Sequence, residues 1–106
     1  MLFRSDPVIA RRDTPTSYHL SVTVDDHLQG VTLVTRGEDL FAATHVHRLL
    51  QGLLGYVPPD YCHHPLLKNA EGARLSKRDG AVAIRTLRDQ GKTPEQVREM
   101  VECQLP

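Results

Sequence analysis

From Leu40 onward the apolar residues fall at helical spacing: Leu40, Phe41, Ala42 and Ala43 are followed by Val46, Leu49, Leu50, Leu53 and Leu54. Glu38-Asp39 stand ahead of this run, where a helix N-terminus favours negative charge. Gly55 follows it as a stop, and Pro58-Pro59 block continuation. The pattern predicts a helix ending at Gly55. Before it, Val31-Thr32-Leu33-Val34-Thr35 is a β-branched run that predicts a buried strand ending at Arg36-Gly37. The stretch Ser17 to Gln29 is ambiguous. Leu20, Val22 and Val24 alternate as in a half-buried strand, while Tyr18, Val22 and Asp25 or Asp26 share a helical face, and periodicity alone slightly favours strand.

Downstream, Tyr61 to Leu67 reads as a short strand, with Asn69-Ala70-Glu71-Gly72 as the turn that follows. A short helix is expected from Gly80 to about Gln90, with Ala83, Ile84 and Leu87 facing inward and Gly91 as its stop. Thr93-Pro94-Glu95-Gln96 is a capping box with proline at the first helical position, so a last helix begins there and buries Val97, Met100 and Val101. Residues 1–16, with Asp6-Pro7, Arg11-Arg12 and a turn at Pro15, form an extended approach segment. Strand, helix, strand, loop, helix, helix is half of an open α/β nucleotide-binding sheet, whose ligands lie outside the carboxyl ends of the strands.

Composition sets outer limits on this picture. With 106 residues, 40% hydrophobic and 25% charged, the chain makes one domain at most. Its 13 basic and 13 acidic residues cancel, so any nucleic-acid contact must be local. No apolar run is long enough to span a bilayer, and Met1 to Pro7 lack the core of a signal peptide, which points to the cytoplasm. Cys62 and Cys103, two and far apart, suit reduced thiols.

The chemistry concentrates in Arg74-Leu75-Ser76-Lys77-Arg78-Asp79-Gly80, where three cations and a hydroxyl fall within five residues. By residue type this is first a solvated basic turn. Its context, at the end of half a nucleotide-binding sheet, makes it a loop for a mobile polyphosphate: Lys77 is a compact ammonium, Ser76 a hydrogen-bond donor, and backbone N–H groups near Gly80 can face an anion. Arg36, at the end of the first strand, offers a planar fork for a carboxylate. Asp25-Asp26 diverge on a helix, and Cys62-His63-His64 alternate across a strand, so no metal site is expected from either. Arg85, Arg88, Lys92 and Arg98 give the last helices a basic face, by residue type a solvated one.

Five blocks in order carry a family resemblance: Pro15-Thr16-Ser17-Tyr18-His19-Leu20; Val24-Asp25-Asp26-His27-Leu28-Gln29-Gly30-Val31-Thr32; Arg36-Gly37-Glu38-Asp39-Leu40; His64-Pro65-Leu66; and Arg74 to Gly80. Together they resemble the second half of a class I glutamyl-tRNA synthetase catalytic domain. The last block resembles the KMSKS signature in a KLSKR form, with Arg74 in place of the first lysine. The runs Asp39 to Thr44, His47 to Gln51 and Tyr61 to Leu66 are closer still to the glutamyl-Q tRNA(Asp) synthetases, paralogues without an anticodon-binding domain. The resemblance also implies a helix after Tyr18 through about Gln29, against the local alternation.

The resemblance further implies a function. It divides the chain into an approach segment (1–16), half of the nucleotide-binding fold (17–72), the KMSKS-type loop (73–80) and C-terminal helices (81–106) of one Rossmann-like domain. Glutamate and ATP, with Mg2+ accompanying ATP, would form glutamyl-adenylate, and the glutamyl group would pass to tRNA: its 3′ end, or queuosine in the tRNA(Asp) anticodon. Lys77 is the implied catalytic residue, Arg74, Leu75, Ser76, Lys77 and Arg78 the ATP-binding set, and Tyr18 with Arg36 the glutamate-binding pair. From composition alone, Arg36 would be a surface ion pair and Tyr18 a core tyrosine. The family's first half, with its HIGH-type motif and the cysteine-based zinc site of many members, is absent, so zinc is not expected in this segment. The partner is therefore the missing half, or self-association over the partly covered apolar faces of Val31, Leu33, Val34, Leu49 and Leu53. Alone, the chain is expected to be inactive. The alternative is a non-catalytic remnant or partner-binding module that keeps the fold.

Overall fold

The computed structural model describes residues 6–75 and 82–105. The chain divides into two units, residues 1–63 and 64–106.

In the first unit the chain enters through a turn closed by Arg11 N–H donating to Thr14 O at 2.9 Å, with an exposed Arg11–Asp13 ion pair beside it. Helix α1 spans Tyr18–Leu28, as the family resemblance implied and against the strand-like alternation of Leu20, Val22 and Val24. Gly30 (φ 68°) carries the chain out of it. Strand β1 is Leu33–Gly37, followed by one 3-10 turn at Glu38–Leu40, helix α2 at Phe41–Leu54 and strand β2 at Asp60–His64. The strands are parallel neighbours: Asp60 N–H donates to Thr32 O at 2.9 Å, pairing the two strand entrances. A parallel pair needs a crossover connection, and α2 provides it.

Helix α2 ends in a Schellman arrangement. Gly55 takes φ 72°, Tyr56 N–H reaches Gln51 O at 2.9 Å, and Gly55 N–H reaches Gly52 O at 3.4 Å. Glycine is needed there because a side chain disfavours positive φ.

Two expectations for this unit are corrected. The first strand starts at Leu33, and Leu33 is 56% exposed, so the β-branched run is not a buried strand. Among the described residues no apolar side chain is fully buried; the most buried are Thr23, Arg36, Thr44, His47 and Gln51. Thr44, His47 and Gln51 lie at i, i+3 and i+7 on α2, so the buried stripe of that helix is polar. The second strand also ends three residues early, at His64.

In the second unit an antiparallel bridge joins Lys68 to Arg74 across the Asn69–Gly72 turn. Asn69 Oδ1 accepts from the N–H groups of Glu71 (3.0 Å) and Ala73 (2.9 Å), the reason an asparagine suits this turn. Helix α3 is Ile84–Asp89 and α4 is Pro94–Glu102. Gly80, the expected start of α3, lies outside the described residues. Thr93 and Gln96 form the reciprocal capping box. Ile84, expected inward, is exposed, as are Ala83 and Met100; Leu87, Val97 and Val101 are half-buried. These short helices carry apolar stripes that the unit leaves largely uncovered.

Candidate functional site

Arg36 is the most buried cation described, with 7% of its surface exposed. As the fourth residue of β1 it points to the face covered by α2, while Thr35 is exposed. Its Nη1 donates to His47 Nδ1 at 3.0 Å and, more weakly, to Thr44 Oγ1 at 3.5 Å. The Tyr61 ring of β2 lies beneath it, with the guanidinium carbon 5.1 Å from the ring centroid. The described groups that meet Arg36 are thus a ring nitrogen, a hydroxyl and an aromatic face, none of them a carboxylate.

The protonation pattern follows from Arg36. A guanidinium can only donate, so His47 Nδ1 carries the lone pair and the ring's proton is on Nε2. That N–H then donates to His19 Nδ1 at 3.0 Å, placing the proton of a neutral His19 on its Nε2. His47 is 1% exposed. Burial, then the charge of Arg36, then His19, lower its pKa from 6.5 to about 4, so it is neutral at physiological pH. Tyr18, beside His19 on α1, meets the His47 ring edge-on with centroids 5.7 Å apart.

Helix α2 is braced to β2 by polar contacts. Thr44 donates its hydroxyl proton to Leu40 O at 3.0 Å and therefore accepts from His63 Nε2, also at 3.0 Å. Gln51 Nε2 donates to Tyr61 Oη at 2.8 Å, and Arg48 donates to Gln51 Oε1 at 3.3 Å. Thr23 returns its hydroxyl to His19 O at 2.8 Å, one turn back on α1. Every hydrogen-bonding side chain around Arg36 is thus fixed by a second partner, which is what a rigid receptor for a polar ligand requires.

Tyr18 and Arg36, the residues singled out for a carboxylate substrate, both contact His47. Tyr18 is 53% exposed, so it is not a core tyrosine, and Arg36 is not a surface ion pair. An open cleft of about 640 Å³ runs past Tyr18 and His19 and is also lined by Arg11, Thr16, Ser17 and Ser21. Arg36 is not among its lining residues. Arg74 sits in the bridge to Lys68, and Leu75 N–H donates to Leu67 O at 3.1 Å. Ser76, Lys77 and Arg78 lie outside the described residues. No group of three or more His, Cys, Asp or Glu positioned for a metal ion stands among the described residues.

His19, Thr44, His47 and Gln51 are parts of the cluster that the sequence reading did not single out. The signal was present in the spacing of Thr44, His47 and Gln51, a polar stripe running down a helix otherwise read by its leucines.

Residues 3–103 match the model of the family described as tRNA synthetases class I (E and Q), catalytic domain. The chain is 53% identical over 96 residues to a glutamyl-Q tRNA(Asp) synthetase of Rhodobacter capsulatus, covering 91% of this chain and 34% of that protein. It is 48% identical to one of Nocardia farcinica, covering 87% and 30%, and 40% identical to a glutamate–tRNA ligase of Borrelia recurrentis, covering 87% and 18%. A glutamate tRNA ligase from Elizabethkingia meningosepticum, solved in complex with its amino acid, superposes with a TM-score of 0.63 at 37% identity, over 71% of this chain and 15% of that one. The chain therefore spans about a third or less of these relatives.

Proposed function

Because the chain belongs to the catalytic-domain family of the class I tRNA synthetases for glutamate and glutamine, its two-stranded α/β unit being part of that domain, we propose that it supplies the amino-acid-binding and phosphate-loop half of a ligase that activates glutamate with ATP and transfers it to tRNA. The observation that carries this reading is Arg36. It is a buried cation with neutral partners, and one of them, His47, meets the ring of the exposed Tyr18. A buried charge without a counter-charge is costly, and a substrate carboxylate held bidentately would supply one.

In this reading Arg36 binds a glutamate carboxylate and Tyr18 forms a ring wall with a hydroxyl at its tip. The free carboxylate at the reacting end of glutamate attacks the α-phosphorus of ATP. An oxygen–phosphorus bond forms, the bond to the bridging oxygen of the β-phosphate breaks, and pyrophosphate leaves with the added negative charge. Lys77 meets that charge as it grows and so stabilises the transition state more than the ground state. Ser76, Arg74 and Arg78 hold the same phosphates, with Leu75 as part of the same ATP-binding loop. Mg2+ would enter with ATP and screen its phosphates. The described residues offer it no cluster of protein ligands, and no step here depends on it. For the acceptor we favour queuosine in tRNA(Asp), because the relatives at 53% and 48% identity are glutamyl-Q tRNA(Asp) synthetases.

The test is glutamate-dependent ATP–pyrophosphate exchange by this chain joined to, or mixed with, the preceding part of the Rhodobacter capsulatus relative. Exchange with glutamate, and little with glutamine or aspartate, is expected. A folded assembly with no exchange would instead make the chain a non-catalytic or partner-binding module.

A further inference from the structure

A buried arginine is ordinarily matched by a carboxylate. Among the described residues Arg36 is held instead by a ring nitrogen, a hydroxyl and an aromatic face. Each of these fixes the direction of the guanidinium without cancelling its charge. Glutamate or aspartate at position 47 would be a stronger acceptor, yet it would neutralise the cation and compete with any carboxylate ligand. A neutral imidazole accepts the bond, orients the guanidinium and leaves its charge available.

We infer that His47 is the positioning residue of the amino-acid site: its Nδ1 holds the Arg36 guanidinium in the orientation that receives the substrate carboxylate, and leaves the full positive charge for that substrate. This deepens the reading above and rests on Arg36 being the carboxylate receptor.

The geometry gives His47 little freedom. Its Nδ1 faces Arg36 from β1, its Nε2 is tied to His19 on α1, and Tyr18 lies against the ring edge. One imidazole thereby sets the relation between the cation and the aromatic wall. Protonation at Nδ1 would turn the acceptor into a second donor facing Arg36. Burial and the two charged or chargeable neighbours, Arg36 and His19, keep the ring neutral at physiological pH.

The experiment uses the full chain joined to the preceding part of the Rhodobacter capsulatus relative, with Michaelis constants for glutamate and ATP measured separately. His47→Ala should raise the glutamate constant about tenfold or more while the ATP constant changes by about twofold or less, since a hydrogen bond to a charged group is lost at one substrate only. His47→Asn, whose Oδ1 can replace Nδ1 as acceptor, should stay within about threefold of wild type. His47→Glu should fold, because it pairs with Arg36, and lose about a hundredfold or more in kcat/KM for glutamate. Folding is checked by circular dichroism and unfolding midpoint. A folded His47→Glu protein with the wild-type glutamate constant overturns the inference.

Arg36→Ala separates the two levels of argument. If it leaves the glutamate constant unchanged, Arg36 is not the receptor and the underlying reading fails. If it raises the constant while the His47 variants do not, the positioning role alone fails. A further readout needs no variant: the imidazole nitrogen spectrum of the wild-type chain at neutral pH should show His47 protonated on Nε2 and bare at Nδ1. The opposite tautomer also overturns the inference.

Discussion

His19 Nδ1 lies 3.0 Å from His47 Nε2, so helices α1 and α2 meet through a pair of imidazoles, one of which also accepts from Arg36. A chain of donors therefore runs from a buried cation on β1, through α2, to α1. Its direction is set by the one member that cannot lose its proton.

That chain makes the fold sensitive to acid. Unfolded, His47 titrates near 6.5; folded, burial first and then Arg36 and His19 bring it to about 4. Between those values the unfolded state binds more protons. Stability is therefore fully present above pH 6.5, declines as the pH falls toward 4 and levels off below, by an amount on the order of 3 kcal/mol. Urea unfolding at pH 7 and pH 4.5 should show a smaller difference for His47→Gln than for wild type. Equal differences would show that His47 is not the source.

Arg36→Ala should abolish most glutamate-dependent exchange while leaving ATP affinity largely intact, because the substrate carboxylate loses its charge-assisted bonds. Tyr18→Phe should be milder, since the ring that meets His47 at 5.7 Å is kept. The ratio of glutamate to ATP Michaelis constants is the measurement, and a larger effect from Tyr18→Phe would contradict the assignment.

Lys77→Ala should lower ATP–pyrophosphate exchange by about 2–4 kcal/mol in transition-state terms, the loss typical of one donor aimed at developing charge. Glutamate binding should be nearly untouched. An exchange rate equal to wild type would remove Lys77 from the mechanism.

Two glycines of α2 should respond with opposite sign. A Cβ at Gly52 or Gly55 meets no atom within 4 Å, so backbone conformation alone decides. Gly55→Ala, at φ 72°, should destabilise by about 1 kcal/mol, and Gly52→Ala, inside the helix, should stabilise by about 0.5–1 kcal/mol. Thermal midpoints moving in the same direction would refute the assignment of Gly55 as the left-handed cap.

The 106-residue chain by itself should be inactive in exchange and should self-associate. Leu49, Leu53 (75% exposed), Val57 and Ile84 are exposed, and no described apolar side chain is fully buried. Sedimentation over a range of concentrations should show oligomers, and adding the preceding part of the Rhodobacter capsulatus relative should restore exchange. A monomer at all concentrations, or exchange by the chain alone, would count against this.

The sequence by itself determined the elements whose signals are local. Gly55 after the run to Leu54 closes α2, because a left-handed cap needs only that residue in that place. Thr93, Pro94 and Gln96 open α4 through bonds within four positions. Membership of the class I synthetase family was also legible, through ordered motifs rather than through periodicity. What only the tertiary structure decided was which face of each element is covered. The alternation of Leu20, Val22 and Val24 reads as strand when no neighbour is considered, yet helix α1 forms and presents Thr23 and His19 to α2. In the same way the leucines of α2 dominate its pattern, but its buried stripe is Thr44, His47 and Gln51, because β1 and β2 bring Arg36, Tyr61 and His63 to that side. Burial of polar groups depends on partners distant in sequence that satisfy their hydrogen bonds, and no local pattern carries that information.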